Sequence, residues 1–228
     1  MILRRTIPKE DVRQMPRVDY CGKIHIINTP DEAERAIAYL KTSPIVGIDT
    51  ETRPSFSKGR QHKVSLLQIA NEEHCFLFRL HLTGLTLPMI TFLENPKITK
   101  VGLSLKDDFY MLHQRAPFEP RGIIELQEYV NGFGIKEKSL QKIFSILFGM
   151  KISKSQRLSN WEAKSLSSAQ QQYAAIDAWA CLKIYNLLEE LNRTGDFIIE
   201  ESEGEGVNYN WNIQHSKYVP YLRSINRP

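Results

Sequence analysis

Four carboxylates and one phenol have the types and the spacing to do chemistry together. Asp49 and Glu51 close the stretch Ile45-Val46-Gly47-Ile48-Asp49-Thr50-Glu51. Its apolar run reads as a buried strand, and alternation along a strand sends Asp49 and Glu51 to the same side. Paired anions at the tip of a buried strand repel each other and lose solvent unless a cation neutralises them. A hard divalent ion with oxygen preference, Mg²⁺ or Mn²⁺, removes that cost. The plainer alternative is a solvated strand end, where Asp and Glu are common.

A third acid sits where Gly102-Leu103-Ser104-Leu105-Lys106-Asp107-Asp108 leaves a strand and enters a helix. The fourth, Asp177, follows Tyr173 by one helical turn, which puts phenol and carboxylate on one face. The small neighbours Ala174, Ala175, Ala178 and Ala180 predict that this face approaches another element closely, where an unpaired carboxylate is costly. Singly, each acid is more often a solvated helix charge; the conjunction is what informs. Without a matching His or Cys cluster, the acids suggest two hard cations side by side. Such a pair, about 3.5–4 Å apart, clamps the attacking and leaving oxygens of a phosphodiester in an in-line displacement. A tyrosine beside the nucleophilic water orients it, and takes its proton if nearby cations lower its pKa from about 10.

The elements that must position these groups follow from periodicity. Lys23 to Asn28 alternates as a short strand, and Thr29-Pro30-Asp31-Glu32 opens a helix with the apolar face Ala33, Ala36, Ile37 and Leu40. After Glu51 comes a basic, glycine-containing loop to about Lys63. Strands over 64–70 and 74–80, joined by Asn71-Glu72-Glu73, form an antiparallel hairpin. A helix over 87–93, a strand over 98–103, a helix over 106–115 with Phe109, Leu112 and Tyr110 turned inward, and a strand over 121–126 come next. The chain is then mostly helical, with the last long helix opened by the capping box Ser167-Ser168-Ala169-Gln170 and ending near Leu191. Hairpin followed by strand-helix-strand makes the class α/β, a mixed sheet with helices around it.

Composition narrows the function classes. At 228 residues, 42% of them hydrophobic, the chain fits one domain with appendages and can bury a sizeable core. No apolar run reaches the ~18–20 residues that span a bilayer, so no membrane partner is expected. The odd count of three scattered cysteines points to a reducing, cytoplasmic compartment, and the six histidines show no zinc spacing. A net charge of +4 suits an anionic partner without requiring one. Residues 1–22 read as a surface arm, 23–193 as the catalytic domain and 194–228 as an irregular appendage.

The residues carry a family resemblance. Asp49-Thr50-Glu51 resembles the first motif of the DEDD superfamily of 3′–5′ exonucleases, and Gly102 followed by Asp108 resembles the second. Tyr173-x-x-x-Asp177 resembles the third in the tyrosine subclass; the histidine subclass has His where Gln172 stands. Ser159-Asn160-Trp161, followed by Gln171-Gln172-Tyr173-Ala174-Ala175-Ile176-Asp177-Ala178, is similar to the Werner-type exonuclease and ribonuclease D group. The resemblance implies a ribonuclease H-like fold whose five-stranded mixed sheet has the order 3-2-1-4-5. It implies Asp49, Glu51, Asp108 and Asp177 as ligands of two Mg²⁺ or Mn²⁺ ions, with Asp49 between both, Glu51 near the leaving group and Tyr173 positioning the water. The Gly102 spacing favours Asp108 over Asp107, whose competing reading is an exposed residue in the first helical turn.

Substrate contacts form an outer set. Thr50 lies between metal ligands, where its backbone touches the terminal nucleotide. Leu67 and Gln68 wedge or bond the terminal base, with plain core as the alternative for Leu67. Asn160 and Trp161 stand at the rim, Trp161 either stacking a base or filling the core. Lys106, Arg53, Lys58, Arg60 and Lys63 neutralise phosphates or are simply solvated. The expected activity is a metal-dependent 3′–5′ exonuclease that acts on nucleic acid with a free 3′ end and releases nucleoside monophosphates. DNA is favoured; the absence of a helical nucleic-acid-binding repeat after residue 193 leaves RNA tethering unsupported without excluding it. The alternatives are ribonuclease D-like trimming of RNA and a catalytically inactive nucleic-acid-binding domain; the completeness of the costly acidic set argues against the latter.

Overall fold

The computed structural model describes residues 1–55 and 62–200. In chain order the strands are β1 (Ile2–Leu3), β2 (Lys23–Ile27), β3 (Ile45–Thr52), β4 (Val64–Ala70), β5 (His74–Arg79), β6 (Thr99–Gly102), β7 (Ile123–Glu125) and β8 (Ile198–Ile199). The helices are α1 (Lys9–Gln14), α2 (Pro30–Leu40), α3 (Leu80–Thr83), α4 (Leu87–Leu93), α5 (Leu105–Leu112), α6 (Leu126–Tyr129), α7 (Leu140–Phe148) and α8 (Ser168–Thr194). Local chemistry sets the main boundaries. Thr29 and Glu32 close a capping box on α2, Ser167 and Gln170 close another on α8, and Gly195 ends α8 in the left-handed conformation.

The main sheet runs β2-β5-β4-β3-β6-β7. Its last five strands reproduce the expected order, with β3–β4 and β4–β5 antiparallel and β3–β6 and β6–β7 parallel. A sixth strand, β2, adds in parallel to the outer edge of β5, so the sheet is one strand wider than the resemblance implies. The alternating pattern of Lys23 to Asn28 makes that strand without supplying its partner.

Each face of the sheet carries its own apolar layer. On one side Val46, Ile48, Leu67, Ile69, Phe76 and Phe78 pack with α2, α4 and α5. On the other, Leu66, Ala70, Cys75 and Leu77 pack with α7 and α8. The segment expected to be a surface arm is largely integrated: Leu3, Ile7, Val12, Val18 and Tyr20 are buried, and β1 pairs with β8. The Tyr20 backbone is also clasped by Gln172, its N–H donating to Oε1 at 3.0 Å and its carbonyl accepting from Nε2 at 3.1 Å. Tyr110, expected to turn inward, is 71% exposed, because the inward stripe of α5 is Leu105, Phe109 and Leu112. Among the described residues no helix is long and apolar enough to cross a membrane.

Candidate metal centre

The site forms where β3 meets α8. A Cβ at Gly47 would stand 1.9 Å from the Ala178 carbonyl oxygen, so only glycine lets the helix lie this close to the strand. Asp49 and Glu51 follow Gly47 on the same side by alternation, and the close approach delivers Tyr173 and Asp177 from α8 onto them. One carboxylate oxygen from each of Asp49, Glu51 and Asp177 lies within 4.8 Å of the others. Asp177 is buried, while Asp49 and Glu51 are half-buried.

Asp108 arrives from the other layer. Its helix α5 packs on the opposite side of the sheet from α8 and starts at Ser104, whose φ of 63° is left-handed. Glu125 fixes that turn by accepting from the backbone N–H groups of Ser104 and Leu105 at 2.9 and 2.8 Å. Asp108 then accepts a hydrogen bond from the Thr50 hydroxyl. It stands across the strand tip from the other three acids, outside their tight group, yet its charge still raises the pKa of both Asp49 and Glu51. Asp107 is exposed, so the ambiguity falls to Asp108.

Electrostatics make this cluster costly when bare. Burial first, then the charges of Asp108, Asp177 and Glu51, hold Asp49 well above the usual carboxylate range. Burial, then the charges of Asp177 and Asp108, push Glu51 up to about 9. Burial raises Asp108 to about 6, against the Thr50 hydrogen bond, and Asp177 to about 7, against a hydrogen bond from Tyr173 and the nearby charge of Lys154. Burial and three carboxylates also push the Tyr173 phenol upward, so without cations it keeps its proton and donates to Asp177. Among the described residues no Lys or Arg forms an ion pair with any of the four acids. A crowded, all-carboxylate donor set that no Lys or Arg contacts among the described residues fits a hard divalent cation.

The outer residues fare differently. Thr50 reaches the site on both counts: its hydroxyl donates to Asp108, and its backbone N–H favours the ionised form of Asp49. Leu67 is 0% exposed in the apolar layer opposite the acids; it precedes Gln68 by one residue, so a strand cannot aim both at the same ligand. Gln68 faces the acids but is itself fully buried, which removes it from contact with a terminal base. Trp161 is 0% exposed, its ring 6.0 Å from that of Tyr173. It forms a wall of the site, and stacking on a base is not open to it. Its indole N–H faces Glu51 closely enough to favour the ionised form without completing a hydrogen bond.

Asn160 is exposed and structural: its side chain accepts from the Glu162 N–H at 3.1 Å, and its carbonyl accepts from Gln170 at 3.2 Å. Arg53 is held by Glu162 at 3.2 Å, whereas Lys63 and Lys106 are exposed. Lys58 and Arg60 lie outside the described residues. Sequence reasoning passed over Lys154 and Arg157, whose charges act on Asp177 and Glu51. Their signal was present in Lys154-Ser155-Gln156-Arg157, directly ahead of Ser159-Asn160-Trp161.

Comparisons with known proteins agree with this geometry. A family model described as 3′-5′ exonuclease matches residues 24–192. A 3′-5′ exonuclease of Arabidopsis thaliana is 29% identical over 195 residues, 78% of this chain and 68% of that protein. A ribonuclease D of Gluconacetobacter diazotrophicus is 29% identical over 176 residues, 75% of this chain and 44% of that protein. The chain thus spans less than half the length of that ribonuclease. The solved Nibbler EXO domain of Aedes aegypti superposes with a TM-score of 0.68 at 22% identity, covering 79% of this chain and 93% of that domain. That likeness shows the ribonuclease H-like fold.

Proposed function

Because this chain belongs to the 3′–5′ exonuclease family, we propose that it hydrolyses the last phosphodiester of a nucleic-acid strand at a free 3′ end and releases nucleoside monophosphates. The observation that carries this reading is the gathering of Asp49, Glu51 and Asp177 within 4.8 Å, with no Lys or Arg in ion-pair contact with them among the described residues. Exonuclease domains of this superfamily depend on metal, and these residues with Asp108 would hold two Mg²⁺ or Mn²⁺ ions. When bound, such ions activate water and stabilise the charge that builds on the departing oxygen.

In the hydrolysis, water oxygen bonds to phosphorus and gives up a proton, the P–O3′ bond breaks with its electron pair leaving on O3′, and O3′ takes up a proton in turn. Tyr173 orients the attacking water through a phenol placed beside Asp177, whose ionised form it favours. Trp161 closes one side of the site and limits bulk water there. Lys154 and Arg157, both exposed, neutralise the incoming phosphate.

DNA is the first proposed polymer. The Thr50 hydroxyl is taken by Asp108 and Gln68 is buried, so a 2′-hydroxyl meets no free polar group from either, and a strand lacking it is accepted. RNA trimming is the second reading, favoured by the ribonuclease D similarity over 75% of this chain. The test is incubation of 5′-labelled single-stranded DNA, recessed duplex DNA and RNA with Mg²⁺ or Mn²⁺, beside Asp49→Ala. A ladder shortening from the 3′ end, lost in the variant and on chelation, supports the reading. Absence of metal-dependent shortening on every substrate refutes it.

A further inference from the structure

Gln68 carries a cost that neither the fold nor the proposed chemistry explains. It lies in the interior of β4, paired across one ladder with Asp49 and across the other with Leu77. Residues directly opposite on an antiparallel ladder project to the same side, with Cβ atoms about 4.5–5.5 Å apart. The Asp49 side is the one that α8 covers, as the closeness of Gly47 to Ala178 shows. The Gln68 amide is therefore packed beneath α8, beside Asp49.

The side chain is fully buried, and neither its Oε1 nor its Nε2 has a hydrogen-bond partner among the described residues. Leu66, Ala70 and Leu77 fill the same layer without polar atoms. An apolar residue at 68 would do so too, and would leave no buried donor and acceptor unmet. The polar side chain that stands directly across the ladder is Asp49.

We infer that Gln68 is a positioning residue for Asp49, its amide N–H placed to donate to the carboxylate and hold it in the orientation that grips a divalent cation. The inference rests on the cation-binding role proposed for Asp49. A carboxylate that gives one oxygen to a cation keeps a second oxygen in need of a donor. Outer hydrogen-bond partners of metal-binding side chains typically alter metal affinity by about 10–100-fold. The unmet amide is then a group whose partner is completed on loading, and the metal-free fold bears its burial.

The test compares the wild-type chain with Gln68→Met and Leu77→Met, the latter disturbing packing beside Gln68 without touching a polar group. Mn²⁺ is titrated into each metal-free protein, free Mn²⁺ is read by electron paramagnetic resonance, and thermal unfolding is recorded without metal. The expected result for Gln68→Met is Mn²⁺ binding weakened by about tenfold or more, with a melting temperature that holds or rises. Leu77→Met keeps wild-type affinity. Unchanged affinity in Gln68→Met overturns the inference, as does an equal loss in Leu77→Met, which assigns the effect to packing. If the wild-type protein itself takes up no Mn²⁺, the cation reading of the site fails, and this inference fails with it.

Discussion

Two buried charge sites in this protein are built on opposite terms. Lys100, in β6, is 0% exposed, and its ammonium donates to the carbonyl oxygens of Phe92 and Asn95 at 3.2 and 2.7 Å while lying 5.8 Å above the Phe92 ring. Burial lowers its pKa to about 8, but the fold supplies acceptors for its protons. At the tip of β3 the fold does the reverse. It gathers Asp49, Glu51 and Asp177, adds Asp108 across the strand, and among the described residues supplies hydrogen bonding from Thr50 and Tyr173 but no Lys or Arg in ion-pair contact. A buried charge satisfied from within serves the fold; a set of like charges left without an ion-pair partner marks where something else binds.

The strongest way to sharpen this contrast is to remove one acid. Asp49→Asn should reduce cleavage of a labelled strand by at least about 10³-fold, the scale of a group acting through charge and proton transfer. The same change should raise the metal-free melting temperature, because it removes an acid that burial and its neighbours keep from ionising as it does in the unfolded chain. Activity and stability therefore move in opposite directions, which a purely structural acid would not do.

Tyr173→Phe should cost less, about 10²-fold in kcat, with KM for the strand nearly unchanged. It removes the hydroxyl that donates to Asp177 and leaves the packing of the ring against Trp161. A kinetic split of kcat against KM checks this.

The acidic cluster should also give the protein a pH signature. Asp177 and Glu51 titrate near 7 and 9 in the folded chain, against about 4 when unfolded. Between those values the native state holds more protons than the unfolded one, so metal-free stability is full below about pH 4 and declines as pH rises through 7 and towards 9. A divalent ion reverses the trend. At about a hundred times its Kd it adds about 2.7 kcal/mol, and the gain should be larger at pH 8 than at pH 5.5, as melting curves with and without Mn²⁺ would show.

Lys100→Met marks the small end. It removes two charge-assisted hydrogen bonds but also the burial of an ammonium, so stability should fall by only about 1 kcal/mol, with cleavage unchanged. Chemical denaturation and the strand assay measure the two halves of that expectation.

The acidic set was legible in the sequence because its logic is local. Strand alternation pairs Asp49 with Glu51, helical spacing pairs Tyr173 with Asp177, and a glycine before a strand-to-helix turn points to Asp108. The five central strands and both capping boxes rest on signals equally short in range. What escaped depends on contacts between distant segments. The burial of Leu3 and Tyr20, the pairing of β1 with β8 and the placement of β2 beside β5 are set by packing, to which periodicity is blind. Trp161 and Leu67 failed as substrate contacts for the same reason, since their residue types suit a base platform and a core equally well.

The most direct measurement of the central claim is calorimetric titration of Mn²⁺ into the metal-free protein at pH 7, in two buffers of different ionisation enthalpy. If the acids are held protonated by burial and mutual repulsion and are deprotonated when a cation binds, Mn²⁺ binds and releases protons, and both signals vanish in Asp49→Asn. Binding without proton release, or no binding to the wild-type chain, contradicts it.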